Sequence, residues 1–420
     1  MDEKAYRLVE VGSQRADQFW SVAQWAFGEP PVAGEAESLR RSVDWSRSRG
    51  VEVVGGAEAG RLVAASTSWR FDLPAPGARI PAGGLTWVGV HPGHRRQGLL
   101  SAMIERHLAD CQDRGEPISV LTATEAPIYP RFGYGLAASG LELTLPRGAR
   151  LVDLPAAAGV TVELVEADVT RWSDQVESIH RAAGQGPWAR PGWVHCATVG
   201  MAEEHFDDFP ERRGQAETLK LALAYRQGRP SGYAFFQRTG KWVHHRAVGS
   251  AAVKELVALD PASGHALWSR LLDLDLTDQV TSPLLPVDDP LLTWLVDPRA
   301  AQPLLSDVAW LRLVDLPTAL STRRYATAVD LTLEVTDRLI PANAGRWRLV
   351  GGPDQASLTR TEAAPDLVLD VKELGSLYLG GGSTGALAGA SRIEQRRLGA
   401  LAQLDAACHH WLAPGLSRVF

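Results

Sequence analysis

The segment Thr86-Trp87-Val88-Gly89-Val90-His91-Pro92-Gly93-His94-Arg95-Arg96-Gln97-Gly98-Leu99-Leu100-Ser101 constrains the fold more than any other stretch of the 420 residues. The apolar run 85–90 predicts a strand and Pro92-Gly93 ends it. From Gly98 onward Leu99, Leu100, Met103, Ile104, Leu108 and Cys111 recur at the helical period. A strand that passes through a short loop into a helix leaves the N–H groups of the first helical turn unpaired and turned toward that loop. With Arg95 and Arg96 beside them, and Gly98 allowing close backbone approach, those groups suit a pyrophosphate. On this segment alone, a solvated basic loop capping an ordinary helix is an open alternative.

About 25 residues further on comes Ala126-Pro127-Ile128-Tyr129-Pro130-Arg131-Phe132-Gly133-Tyr134-Gly135. A phenol has a reference pKa of about 10, so Tyr129 stays protonated at neutral pH and can act as a proton donor. A half-buried tyrosine packing on a sheet edge is the plainer reading of such a residue taken singly. Its spacing from the Arg95–Gly98 loop favours the chemical one.

The chain is long enough for two or three domains, each with its own core. Hydrophobic residues make up 45% and charged residues 22%, which suits folding throughout. A net charge of -6 disfavours a nucleic-acid partner and tilts toward cationic ligands. Cys111, Cys196 and Cys408 have neither even count nor CxxC spacing, so neither a disulfide framework nor a metal site is expected, and a reducing cytoplasm fits. No run of 18 apolar residues and no signal-like leader stand in the sequence, so a soluble protein without a membrane partner is expected.

Along the first unit the pattern predicts a helix near 15–27, a hairpin from 51–54 and 62–65, a strand at 118–123 and another at 141–145, with a boundary in 146–160. The second unit predicts strands at 160–165, 221–225, 232–237 and 253–259 and a helix over 264–272. Prolines punctuate 283–300, and the last unit predicts a strand at 329–335 and a helix over 393–411. The expected boundaries are therefore 1–155, 156–300 and 301–420, and the loop after 253–259 carries no arginine pair to meet a second pyrophosphate.

The two chemical segments together resemble the GNAT superfamily of acyltransferases: Arg95-Arg96-Gln97-Gly98-Leu99-Leu100 is similar to its Arg/Gln-x-x-Gly-x-Gly/Ala coenzyme A motif, with Leu100 departing from the usual small residue. Val88-Gly89-Val90 is similar to its splayed strand. The surrounding sequence, with Gly375-Ser376-Leu377-Tyr378-Leu379-Gly380 near the other end, resembles the enhanced intracellular survival (Eis) family. That resemblance implies an α+β fold of tandem GNAT domains, each a mixed sheet flanked by helices, followed by a sterol-carrier-like domain. It also implies one acetyl-CoA per chain, no metal, a homohexamer, and acetylation of amines, notably aminoglycosides.

By the same resemblance Val88, Gly89 and Val90, the loop residues Arg95, Arg96, Gln97, Gly98, Leu99, Leu100 and Ser101, and Thr124 with Glu125 would contact acetyl-CoA. Tyr129 would be the proton donor, and the terminal carboxylate of Phe420 the general base. Glu125 is the second choice for base, and Trp87 could wall an acceptor pocket. Val419 stands where family members carry an acidic residue. A protein lysine or a secondary-metabolite amine fits the motifs as an acceptor, and a non-catalytic acyl-CoA or lipid-binding protein is the competing class of function.

Overall fold

The computed structural model describes residues 5–420 apart from 29, 33 and 197. The first unit is built from β1 (Tyr6–Glu10), helices α1 (Ala16–Phe27) and α2 (Glu35–Ser42), then β2 (Arg49–Val53), β3 (Leu62–Ala75) and β4 (Ala78–Val90). After these come α3 (Leu99–Asp113), β5 (Ile118–Leu121), β6 (Gly135–Glu142) and β7 (Thr144–Pro146). In α1 the residues Ala16, Phe19, Val22 and Ala23 share one buried stripe, and Gly28, at φ 72°, stops the helix in the left-handed conformation. In α3 the buried stripe includes Leu99, Met103, Ile104, Leu108 and Cys111, the periodic set of the sequence.

The first two sheets exchange strands. The eight-stranded sheet runs β1, β2, β3, β4, β5, then Leu304–Leu313, β6 and Leu285–Pro286. Leu304–Leu313 lies in the range expected for the third unit, yet it is wedged between β5 and β6 and antiparallel to both. Conversely β7 leaves the first sheet to pair antiparallel with Thr277–Thr281 at the edge of the six-stranded second sheet. The strand expected over 141–145 is therefore two: β6 ends at Glu142, and Leu143, itself buried, is where the chain crosses to the second sheet.

The second sheet continues through Gly249–Ala258, Arg229–Thr239, Lys220–Arg226 and Val160–Glu166, which carry the four strand patterns of the second unit. The helix expected at 264–272 starts earlier, at Pro261, because Asp260 caps it by accepting from the Ser263 N–H at 3.0 Å. The third, five-stranded sheet has the order Ala356–Arg360, Gly345–Gly351, Val329–Thr336, Leu367–Asp370, Ile393–Gln395. The helix expected over 393–411 is shorter: 393–395 is the edge strand of that sheet, Gly399 at φ 84° breaks the chain, and the helix runs Ala400–Cys408. Among the described residues no helix is long and apolar enough to cross a membrane.

Candidate active site

Between β4 and β5 the first sheet opens. The two strands pair in parallel only at Ala82 with Ile118, Gly83 with Ser119 and Gly84 with Val120. Beyond that, β4 runs on to Val90 while β5 ends at Leu121, so the backbone of 85–90 has no ladder partner on that side. On its other side β4 pairs with β3 through a bulge: Thr86 faces Thr67 and Gly89 faces Ala65, leaving Trp87 and Val88 opposite Ser66 alone. Trp87 takes φ 52°, a left-handed value rare for a bulky residue. A bulge turns peptide groups out of the ladder, and here it does so inside the splay.

The loop after β4 ends in an open helix terminus. Gly98, at φ 77°, is the N-cap of α3 and no side chain caps it; the first helical bond runs from the Ala102 N–H to the Gly98 carbonyl. The N–H groups of Leu99, Leu100 and Ser101 thus precede that bond. Arg96 also takes a left-handed φ of 62°, and Arg95, Arg96 and Gln97 are exposed around the open helix end, which gives it a polar, basic rim. Leu99 is buried and Leu100 and Val90 partly so, which anchors the loop while its polar rim faces outward. His94 is buried and its Nδ1 meets the Tyr6 hydroxyl at 3.1 Å, a structural role beneath the loop.

The two tyrosines of the 126–135 element divide cleanly. Tyr134 is fully buried, with its hydroxyl 2.8 Å from Ser119 Oγ, and burial raises its pKa far beyond the ordinary phenol range. Tyr129 sits in the same cluster beside Leu85, Leu121 and the partly buried Val88 and Leu100, so it faces the splay. Burial, with the charge of Glu125, pushes its pKa up to about 12. It stays protonated across the working range of an enzyme. Beneath its turn lies the buried guanidinium of Arg312, 2.9 Å from where a Cβ on Gly133 would stand, and Gly133 itself has φ 81°. Thr124 and Glu125 are exposed on the turn after β5.

The chain terminus enters this region from the far end of the sequence. The Phe420 carboxyl oxygen accepts from Thr122 Oγ1 at 2.8 Å, and its ring packs edge-on against Phe71 and Trp69 of β3, centroids 4.8 and 5.9 Å apart. Thr122 directly follows β5. Tyr129, the bulge, the open helix end and Phe420 are therefore gathered at the C-terminal end of β5 and the splay. Sequence reasoning missed Thr122, Trp69 and Phe71; a lone threonine and two strand aromatics carry no signal that separates them from core.

A cavity of about 460 Å³ opens between the first and second units. Trp20, Leu39 and Trp87 form one wall, Phe235 and Gln237 the other, and Glu35, Glu204, Asp207, Asp208 and Glu255 give it five carboxylates. Trp87 packs edge-on against Trp20 and Phe27, so the bulge residue belongs to both the splay and the cavity. Glu35 is matched by Arg212 at 2.5 Å and Asp208 by Arg213 at 2.9 Å. Burial, reinforced by Asp207, pushes Glu204 up to about 7, and burial raises Asp207 as well while Ser38 donates to it.

Models of the acetyltransferase (GNAT) domain match residues 7–137 and 199–313, and a sterol carrier protein domain matches 316–414. An uncharacterized N-acetyltransferase of Streptomyces coelicolor is 37% identical over 94% of each chain. The N-acetyltransferase Eis of Mycobacterium tuberculosis is 33% identical over 84% of each.

The chain belongs to the Eis family of GNAT N-acetyltransferases.

The crystal structure of Eis1 from Mycobacterium abscessus superposes with a TM-score of 0.80 at 28% identity, covering 99% of this chain and all of that one. A GCN5-related N-acetyltransferase from Anabaena variabilis, at 20% identity and a TM-score of 0.82, shares the fold. The Eis-family architecture of two GNAT domains and a sterol-carrier-like domain accounts for the three sheets, and the enzyme is an N-acetyltransferase. The GNAT model for the second unit runs to 313, through the strand that completes the first sheet.

Proposed function

We propose that the protein transfers the acetyl group of acetyl-CoA to a polycationic amine, with aminoglycosides first among the candidates. The observation that carries this reading is the conjunction of the β4 bulge, the uncapped helix end at Gly98 and the protonated Tyr129 around one splay. The pyrophosphate would rest on the N–H groups of Leu99, Leu100 and Ser101, with Arg95 and Arg96 beside it, and the pantetheine arm would run along Val88–Val90. The amine lone pair attacks the thioester carbonyl, whose electrons move onto oxygen opposite a backbone N–H of the bulge. As that oxyanion collapses, the C–S bond breaks and Tyr129 protonates the thiolate. The Phe420 carboxylate takes the proton that the nitrogen loses once its lone pair has bonded and left it cationic, directly or through water. No covalent acyl-enzyme is required. Glu125, exposed on its turn, is less well placed for that role than a carboxylate held at 2.8 Å by Thr122.

The cavity beside Trp87 supplies the acceptor site. Its aromatic walls suit the rings and stems of a polyamine, and its five carboxylates outnumber Arg212, Arg213 and Lys254 on the same lining; burial disfavours ionisation of Glu204 and Asp207, and an ammonium group bound beside them would favour it. Val419, by contrast, adds no charge there. The test is thiol release from acetyl-CoA over a panel of aminoglycosides, linear polyamines, lysine peptides and monoamines. Preferential turnover of multiply charged amines supports the reading. Preference for lysine peptides or neutral-ring monoamines moves the acceptor class, and coenzyme binding with no turnover on any amine favours a binding protein instead.

A further inference from the structure

The residues that lead to Phe420 are anchored in the second unit, not in the first. Arg418, 4% exposed, donates from Nη1 to Glu177 Oε2 at 3.1 Å and from Nε to Glu255 Oε1 at 3.2 Å. Its guanidinium also contacts Cys196 Sγ and stands 3.5 Å from the Tyr233 hydroxyl. Glu177 lies on the helix Val169–Ala183, Tyr233 on the strand Arg229–Thr239 and Glu255 on the strand Gly249–Ala258, so three elements of the second GNAT unit converge on this one side chain. The residue before it is fixed there too. Ser417 Oγ donates to the Val194 carbonyl at 2.8 Å and accepts from the Val194 N–H at 3.0 Å.

Two residues after Arg418 the chain has crossed to the first unit, where Phe420 meets Thr122, Phe71 and Trp69. Two residues reach at most about 7 Å, so fixing Arg418 confines the carboxylate to a small volume at the splay. A buried guanidinium paired by two carboxylates adds little net stability, because desolvation offsets attraction; what such a group supplies best is one fixed register.

We propose that Arg418 is a positioning residue for the acetyl transfer, through which the second GNAT unit, lacking its own coenzyme loop, clamps the terminal carboxylate into the site of the first. The proposal rests on Phe420 being the general base, and the experiment separates the two. Full-length enzyme, a chain lacking Phe420, Arg418→Met and Arg418→Lys are compared for kcat, for acetyl-CoA KM, and for recovery of turnover by added formate, a small carboxylate able to enter the vacated position. Loss of kcat on removing Phe420, partly returned by formate, upholds the base; unchanged kcat overturns the base and the proposal together.

With the base upheld, Arg418→Met is expected to lower kcat about tenfold to a hundredfold while acetyl-CoA KM stays within about twofold, as misplacement of one reacting group does. Formate should return part of that loss, and Arg418→Lys should retain more activity than Arg418→Met. A kcat within about threefold of the parent, or a loss that formate leaves untouched, overturns the positioning role while Phe420 remains the base. Should Arg418→Met not fold, Glu177→Gln, which leaves the Glu255 arm in place, is read by the same criteria.

Discussion

Replacing Tyr129 with phenylalanine tests the chemistry with little disturbance of the fold. The ring is packed among Leu85, Leu121 and Phe132, and among the described residues no side-chain hydrogen bond ends on its hydroxyl, so Tyr129→Phe strands no partner. The melting temperature should therefore stay within about 1 kcal/mol of the parent in stability terms. Turnover should not. A positioned general acid contributes about a hundredfold to ten-thousandfold, which is about 3–5 kcal/mol of barrier. Tyr129 is only 8% exposed, so little water can replace the phenol, which argues for the upper half of that range. Burial pushes the phenol up to about 12, which fixes the pH profile: the donor stays protonated as pH rises, so Tyr129 should impose no alkaline limb on kcat below about pH 10. Thiol release at saturating acetyl-CoA, with KM measured separately, is the assay. A fall in kcat with unchanged acetyl-CoA KM matches loss of an interaction made only in the transition state. A Tyr129→Phe enzyme with kcat within about threefold of the parent refutes the assignment.

Three further outcomes follow from the geometry. Gly98→Val places a branched side chain at φ 77° in the coenzyme loop and should raise acetyl-CoA KM about tenfold or more with a stability cost of about 1–3 kcal/mol, read by calorimetric titration and melting. Arg312→Met removes a fully buried cation whose Nη2 holds both Asp337 oxygens at 2.7 Å; the carboxylate left behind should cost about 3–5 kcal/mol in denaturant unfolding. Glu204→Gln should stabilise the protein in a pH-dependent way. The carboxyl is held up to about 7 in the fold against 4.5 outside it, so its share of stability is full below about pH 4.5 and lost as pH rises through about 7. Melting curves should coincide near pH 4.5 and separate by about 1–2 kcal/mol at pH 8, the full shift being discounted for partial exposure; equal curves at pH 8 count against the raised value.

Much of the site was legible in the sequence because its signals are local. The strand 85–90, the glycine at 98 and the helical stripe from Leu99 to Cys111 each depend on neighbours within one or two turns, and all stand where the pattern put them. The hairpin of β3 and β4 beyond residue 65 was not legible. The apolar run 62–65 stops at Ser66, Thr67 and Ser68, yet all three are buried in the continuing strand, and Pro74 and Pro81 lie inside the long strands. Alternation names a strand but not its partner, so nothing in Leu304–Leu313 announced that it pairs with β5 and β6. Arg418 was equally silent. A charged residue two places from a terminus reads as solvated, and only the convergence of Glu177, Tyr233 and Glu255 from three distant elements gives it a buried place.

The strand exchange explains why one site needs the whole chain. Leu304–Leu313 inserts against β5, and its Arg312 fills the space under the Tyr129 turn and grips Asp337 of the third unit. The wall that carries Tyr129, the proposed proton donor, is therefore fixed by a strand that arrives after the second unit and by a carboxylate that arrives after that strand. The terminus completes the arrangement from the other side: it emerges from the third unit, is fastened to the second at Ser417 and Arg418, and ends against Thr122 of the first. Tyr129 and the proposed base thus both rest on the first unit at the end of β5, yet each also depends on a different later segment. A first GNAT unit cut off near residue 150 would keep the coenzyme loop on α3, yet lose the strand beside β5, the buried partner of the Tyr129 turn and the carboxylate together. On the proposed mechanism, coenzyme recognition is local in this fold, whereas the geometry for transfer depends on all three units.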